Sequence, residues 1–188
     1  MTKLLISRHG QTYSNIDRLI MGQADSSLTA LGLKHARDIG HSINLQAFNP
    51  VAIHSSDLMR CQKTAQEVAG LINLPVDSVH YDARLREIDT GDYSNLPYET
   101  ALPLSQFINQ PFANGESFKQ MSSRVVSAVI DICQQYQDEQ VLIVTHSGPI
   151  AAIQSWHFEL EFEKCLGSDY PHGEILEIDT VLSAGHQP

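Results

Sequence analysis

Two arginines, two histidines and one carboxylate stand out in this chain, because nearly all of them follow short apolar runs. Arg8-His9-Gly10 comes directly after Lys3–Ser7 (KLLIS), and His146-Ser147-Gly148 directly after Val141–Thr145 (VLIVT). Arg60 opens the helical pattern behind Val51–His54 (VAIH), and Glu87 stands in Leu85-Arg86-Glu87. These residue types share one use. Guanidinium forks match phosphate oxygens bidentately and stay charged at any working pH. A neutral imidazole is a nucleophile that can split one hard phosphoryl displacement into two easier ones. The leaving alkoxide then needs a proton, which a carboxylic acid or second histidine supplies, and Glu87 is the candidate acid.

Each group also has a plainer reading. An arginine-histidine pair after a strand is commonly a surface turn. His146 would cap the helix behind it, Arg60 would pair with Asp57, and Glu87 would be solvated. His9, His146 and Glu87 also form a zinc-type His₂Glu set, although Arg8 and Arg60 beside a divalent cation would be electrostatically unfavourable. Their conjunction at one sheet edge is what favours phosphate chemistry.

That edge must be built by the elements between them. The three apolar runs read as buried central strands, and a fourth is expected at Glu174–Asp179. Leu58, Cys61, Ala65, Val68, Ala69 and Ile72 recur at helical spacing. So do Phe118, Met121, Val125, Ala128, Val129, Ile132 and Tyr136, behind a capping box at Ser117–Gln120. Pro149 suits the first turn of another helix. The alternation predicts an α/β three-layer sandwich around a largely parallel sheet, as a single domain over 1–188. In such sheets ligands bind at the carboxyl ends of strands, where helix N-termini favour anions. Residues 90–115, punctuated by Pro97, Pro103 and Pro111, read as a lid-like insertion over one end of the sheet.

The chain has 188 residues, with 12 basic against 22 acidic and a formal charge of -10. That balance argues against nucleic acid and anionic membrane as partners. It also requires the few cations to be concentrated wherever an anion binds. Cys61, Cys133 and Cys165 are odd in number and widely spaced, which suits a reducing cytosol. None is followed six residues later by arginine, so a Cys-x5-Arg thiolate phosphatase is excluded. With no charged-then-apolar leader and no apolar stretch of ~18 residues, the expectation is a soluble cytoplasmic protein.

The ordered motifs resemble those of the histidine phosphatase (phosphoglycerate mutase-like) superfamily, from Leu4 to about Asp179. Arg8-His9-Gly10-Gln11-Thr12-Tyr13-Ser14-Asn15 resembles RHGxTxxN. Ser56-Asp-Leu58-Met-Arg60 and Thr64-Ala65 are similar to SxLxRxxxTA, Gly115-Glu-Ser117 to GES, and Val144-Thr-His146-Ser-Gly148 to VTHGG. The resemblance implies a metal-independent enzyme without cofactors, with His9 as phosphoacceptor and Glu87 as acid. Arg8, Arg60, His146, Asn15 and Thr12 would bind phosphate, and Gly22, Gln23 and Ser147 would complete the substrate site. Two positions depart from the pattern: Ser147 and Asn95 each stand where the family often has glycine.

Within that superfamily the mutase branch is expected to surround a doubly anionic substrate with cations. Here no lysine or arginine occurs between Glu87 and Lys119, whereas Asp89, Asp92, Glu99 and Glu116 do. A phosphatase acting on a small-molecule phosphomonoester is therefore expected. Tyr93, Tyr98, Phe107 and Phe112 would either stack on an uncharged leaving group or pack among themselves. Gly22-Gln23-Ala24-Asp25, Leu28-Thr29 and Gly32 resemble GxxDxxLTxxG. The chain is most similar to the α-ribazole-5′-phosphate phosphatase branch of cobalamin assembly, with broad-specificity phosphatases as the alternative.

Overall fold

The computed structural model describes residues 1–100 and 103–180. Residues 101–102 of the expected lid and the last eight of the expected domain lie outside the described residues. In chain order the elements are β1 (Thr2–Arg8), α1 (Tyr13–Ile16), α2 (Ala30–Leu45), β2 (Ala52–Ser55), α3 (Met59–Leu71) and β3 (Val79–Tyr81). They continue with α4 (Phe118–Gln135), β4 (Gln140–Thr145), α5 (Ser147–Phe158), α6 (Phe162–Leu166) and β5 (Leu176–Thr180).

The sheet runs β3-β2-β4-β1-β5, parallel except for β5, which pairs antiparallel with β1. Alternate side chains on the central strands feed two cores, as a sheet covered on both faces requires. Leu5, Leu142 and Val144 pack with Ile39, Ile43 and the apolar stripe of α3. Leu4, Ile6, Val141 and Ile143 pack with α4 and α5. The expected three-layer sandwich is therefore present. The α4 capping box forms as the sequence indicates, with Ser117 Oγ accepting from Gln120 N and Gln120 Oε1 accepting from Ser117 N. Four elements, α1, α2, β3 and α6, have no counterpart in the sequence reading.

Because β4 lies between β1 and β2, the carboxyl ends of these three strands are neighbours. Arg8 is opposite Thr145 and Ser55 opposite Val144 in the ladder. Residues 91–100 and 103–107 contribute isolated 3₁₀ turns at Gly91–Tyr93, Tyr98–Thr100 and Leu104–Phe107, from which Tyr93, Tyr98 and Leu104 reach the cavity described below. Asn95 takes φ +65°, a left-handed conformation that asparagine tolerates better than most residues, in place of the expected glycine. Among the described residues no helix is long and apolar enough to cross a membrane.

Candidate active site

His9 follows β1 and is 2% exposed. Its backbone N–H donates to Thr145 O at 2.9 Å. The ring Nδ1 lies 2.8 Å from Gly10 O. A carbonyl only accepts, so in the neutral ring Nδ1 carries the hydrogen and Nε2 keeps a free lone pair. Burial, then the charges of Arg60 and Arg8, hold the His9 pKa well below its ordinary value, which keeps the imidazole neutral.

Arg60 sits in the first turn of α3 and is 1% exposed. Its Nε donates to His146 Nδ1 at 3.2 Å, Nη1 to Ala24 O at 2.6 Å and Nη2 to Gly22 O at 2.8 Å. Three of a guanidinium's five N–H groups are thereby engaged, and one on each Nη remains for a ligand. The segment from Gly22 to Gly32 is the frame of this arginine. Asp25 Oδ1 accepts from Met59 N at 2.9 Å and so caps α3, whose own N-cap residue makes no side-chain bond. Thr29 caps α2 through Gly32 N. Gly22 sits at φ +49°, and a Cβ there would meet Thr90 Oγ1 at 2.2 Å.

Glu87 is held from several sides. Its Oε1 accepts from Ile88 N at 3.0 Å, and Oε2 from Ser147 Oγ at 3.3 Å and Gly148 N at 3.4 Å. Serine at position 147 thus adds a hydroxyl bond to the carboxylate. Gly148 has no such latitude, because a Cβ there would lie 2.3 Å from Glu87 Oε1.

Arg8, His9, Gly22, Arg60, Glu87 and Ser147 line one cavity of about 360 Å³ with Tyr93, Tyr98, Leu104 and Phe112. Arg18, Arg37, Arg84, Arg86 and Arg124 are ion-paired with carboxylates. Arg8 and Arg60 have no carboxylate within the 4.0 Å that defines such a pair, among the described residues. An acidic protein thus presents its two uncommitted arginines to one cavity. Asp57, a possible partner for Arg60, forms a two-bond pair with Arg86 instead.

Four expected site residues stand back from the cavity wall. His146 is fully buried, makes no side-chain cap, and packs edge-on to His9 with ring centroids 5.1 Å apart. With Nδ1 accepting from Arg60, its Nε2 donates to Ser56 Oγ at 2.9 Å. Thr12 and Asn15 form a reciprocal capping box around α1. Gln23 Nε2 donates to Glu87 O at 3.2 Å. Phe107 also stands back, stacked on Phe112 with centroids 3.7 Å apart. Among the described residues no three His, Cys, Asp or Glu side chains are grouped to hold a metal ion.

The match to the histidine phosphatase superfamily (branch 1) spans residues 4–180. This chain belongs to that superfamily. As a histidine phosphatase it is 32% identical over 163 residues to a metal-independent phosphoserine phosphatase of Arabidopsis thaliana, covering 81% of this chain and 67% of the relative. Bacillus stearothermophilus YhfR superposes with TM-score 0.84 at 27% identity, covering 96% of this chain and 92% of that one. The α-ribazole phosphatase of Shigella flexneri superposes with TM-score 0.80 at 27% identity, covering 94% and 90%.

Two residues that brace the candidate site escaped the sequence reading. Arg124, on α4, donates to the carbonyls of Arg84, Arg86 and Glu87 at 2.7–2.8 Å while paired with Glu116. Its signal was an arginine three residues after Met121, beside the apolar stripe. His172 contacts the backbone of His9, and no local pattern marks it.

Proposed function

We propose that this phosphatase transfers the phosphoryl group of a monoester to His9 Nε2, with Arg8 and Arg60 binding the transferring oxygens. Glu87 protonates the leaving oxygen, then takes a proton from the water that hydrolyses the phosphohistidine. His146 serves by orienting Arg60 and packing against His9. Thr12, Asn15 and Gln23 act one layer out, bracing the segments that carry the contacts. The observation that carries this reading is the polar end of the cavity, where a buried neutral imidazole, two unpaired arginines and a carboxylate converge. His9→Ala should lose about three orders of magnitude in rate. Rapid quench of the wild type should trap an acid-labile, base-stable phosphoprotein, and EDTA should leave the rate unchanged. Dependence on added zinc or manganese would overturn the mechanism.

For the substrate, we propose a monoester whose leaving group is uncharged and flat, with α-ribazole 5′-phosphate or another nucleoside monophosphate preferred. The support is that Ile20, Met21, Ile88, Tyr93, Phe112 and Leu104 wall the far part of the cavity, whose only arginines are Arg8 and Arg60. Lys34, Lys63 and Arg84 bond to Asp38, Gln66 and Asp82 and are not on that wall. A second anionic group would meet no cation there. Nucleotides should beat 3-phosphoglycerate and fructose 2,6-bisphosphate by about a hundredfold in kcat/KM. Tyr93→Ala should raise KM for the nucleotide more than for an alkyl phosphate, whereas Phe107→Ala acts through Phe112 and costs stability. A bisphosphate as best substrate would sink this assignment. The same apolar wall also favours a second reading, a broad-specificity phosphatase, which a flat profile across the panel would establish.

A further inference from the structure

The antiparallel ladder between β5 and β1 ends where Leu176 meets Ile6. The chain preceding β5 nevertheless keeps hold of the segment beyond. Glu174 O accepts from Ser7 Oγ at 2.7 Å, His172 Nδ1 donates to His9 O at 2.5 Å, and Tyr170 O accepts from Arg8 Nη1 at 3.1 Å. Alternate residues of the α6–β5 loop thus grip three consecutive residues that end on the candidate nucleophile. We propose that this loop is a clasp on that segment, and that His172 is the positioning residue for His9. The proposal rests on the reading of His9 as nucleophile.

The argument is one of fixing a peptide from every side. The N–H of His9 is tied to β4 through Thr145 O, and its ring to Gly10 O. Without His172, its carbonyl would lack the remaining tie. The His172 ring is itself held: it lies parallel to His35 of α2, centroids 5.5 Å apart and planes 9° apart, and 5.5 Å from the His9 ring. Histidine suits the position chemically. A neutral imidazole donates one hydrogen bond without setting another cation against a nitrogen whose lone pair must attack. Burial, then Arg8, push its pKa down to about 4, so the ring is neutral near pH 7. A lysine could donate as well, but its charge would oppose the imidazolium character that His9 develops on phosphorylation.

The test uses the full chain in first turnovers of p-nitrophenyl phosphate with substrate in excess, where the amplitude of the nitrophenolate burst counts functional sites and its rate reports transfer. His172→Ala should slow transfer by about ten- to a hundredfold at unchanged amplitude, the size expected from a small misplacement of a reacting atom. The slowing should be equal for an alkyl phosphate, since attack rather than leaving-group protonation is impaired. His172→Asn keeps an N–H donor near the position of Nδ1 and should return to within about threefold of wild type. Wild-type rate in His172→Ala, equal slowing in both variants, or a loss of amplitude alone would each overturn the clasp. The two readings fail separately. A His9→Ala enzyme at full rate refutes the nucleophile, whereas an inactive His9→Ala beside an unaffected His172→Ala refutes the clasp alone.

Discussion

Replacing Arg124 with leucine removes the guanidinium that ties α4 to the carbonyls of Arg84, Arg86 and Glu87, and leaves Glu116 with the N–H of Asp89 but without its ion-pair partner. The Arg124 and Glu116 side chains are 20% and 17% exposed, so water reaches the site only at its rim. Hydrogen bonds to a charged group contribute about 1.5–3 kcal/mol each. If rim water replaces one of the three, the other two and the unpaired carboxylate amount to about 4 kcal/mol. In a domain of this size each kcal/mol moves Tm by about 2–4 °C, so the expected fall is about 8–16 °C. The kinetic consequence should be selective, because the loosened segment carries Glu87. At a temperature where circular dichroism shows the variant folded, kcat on an alkyl phosphate should drop about ten- to a hundredfold. p-Nitrophenyl phosphate, whose leaving group departs without a proton, should suffer much less. A Tm change within about 2 °C would refute the energetic estimate. A large Tm loss with equal kinetic losses on both substrates would refute the link from Arg124 to Glu87.

Glu87→Gln should show the same leaving-group signature without the Tm loss, and equal damage to both substrates would assign Glu87 another role. Gly148→Ala places a methyl 2.3 Å from Glu87 Oε1 and 3.1 Å from Met121 Sδ, so kcat on alkyl phosphates should fall about tenfold or more. Alanine is the better helix former by about 1 kcal/mol, which should leave Tm nearly unchanged, and full activity in this variant would contradict the close approach. Acid should destabilise the fold through its buried imidazoles. His9 and His146 are held well below their ordinary value, and His54 and His172 at about 4, in each case chiefly by burial. Because these folded-state values lie below the unfolded one, the unfolded chain takes up protons first. The stabilisation is complete above about pH 6.5 and is lost as pH falls towards 4. A fully buried imidazole costs up to ~1.4 kcal/mol per pH unit in that window, and the partly exposed His54 and His172 less. A Tm that rises between pH 6.5 and 5 would rule this out.

Much of the scaffold was legible because its signals are local. The runs at β1, β2 and β4 are apolar without interruption, and the α4 stripe and capping box lie within one continuous segment. What stayed hidden depends on distant partners. The buried face of α2 has only two large apolar residues, Ile39 and Ile43, beside Gly32, Ala36 and Gly40, so the stripe is sparse. β3 is only Val-His-Tyr, shorter than any periodicity can reveal. In the site, the arginines, His9 and Glu87 were found from position after apolar runs and from motif. The retreat of His146 behind Arg60, the grip of Arg124 and the contact from His172 arise from residues 37 to 163 positions apart.

The chemical end of the cavity rides on strand ends locked into a five-stranded sheet, whereas Tyr93, Tyr98 and Leu104 of its apolar wall sit on single 3₁₀ turns. Tyr98 and Leu104 on that wall are 42% and 45% exposed, so exchanging them disturbs few buried contacts. On the proposed reading, the exposed part of the selectivity wall is separate from the groups that do the chemistry. Substitutions at Tyr98 and Leu104 should then change the preferred monoester while leaving the reactive end intact. The same separation makes the 3₁₀ turns the place to begin when redesigning this enzyme for a new ester.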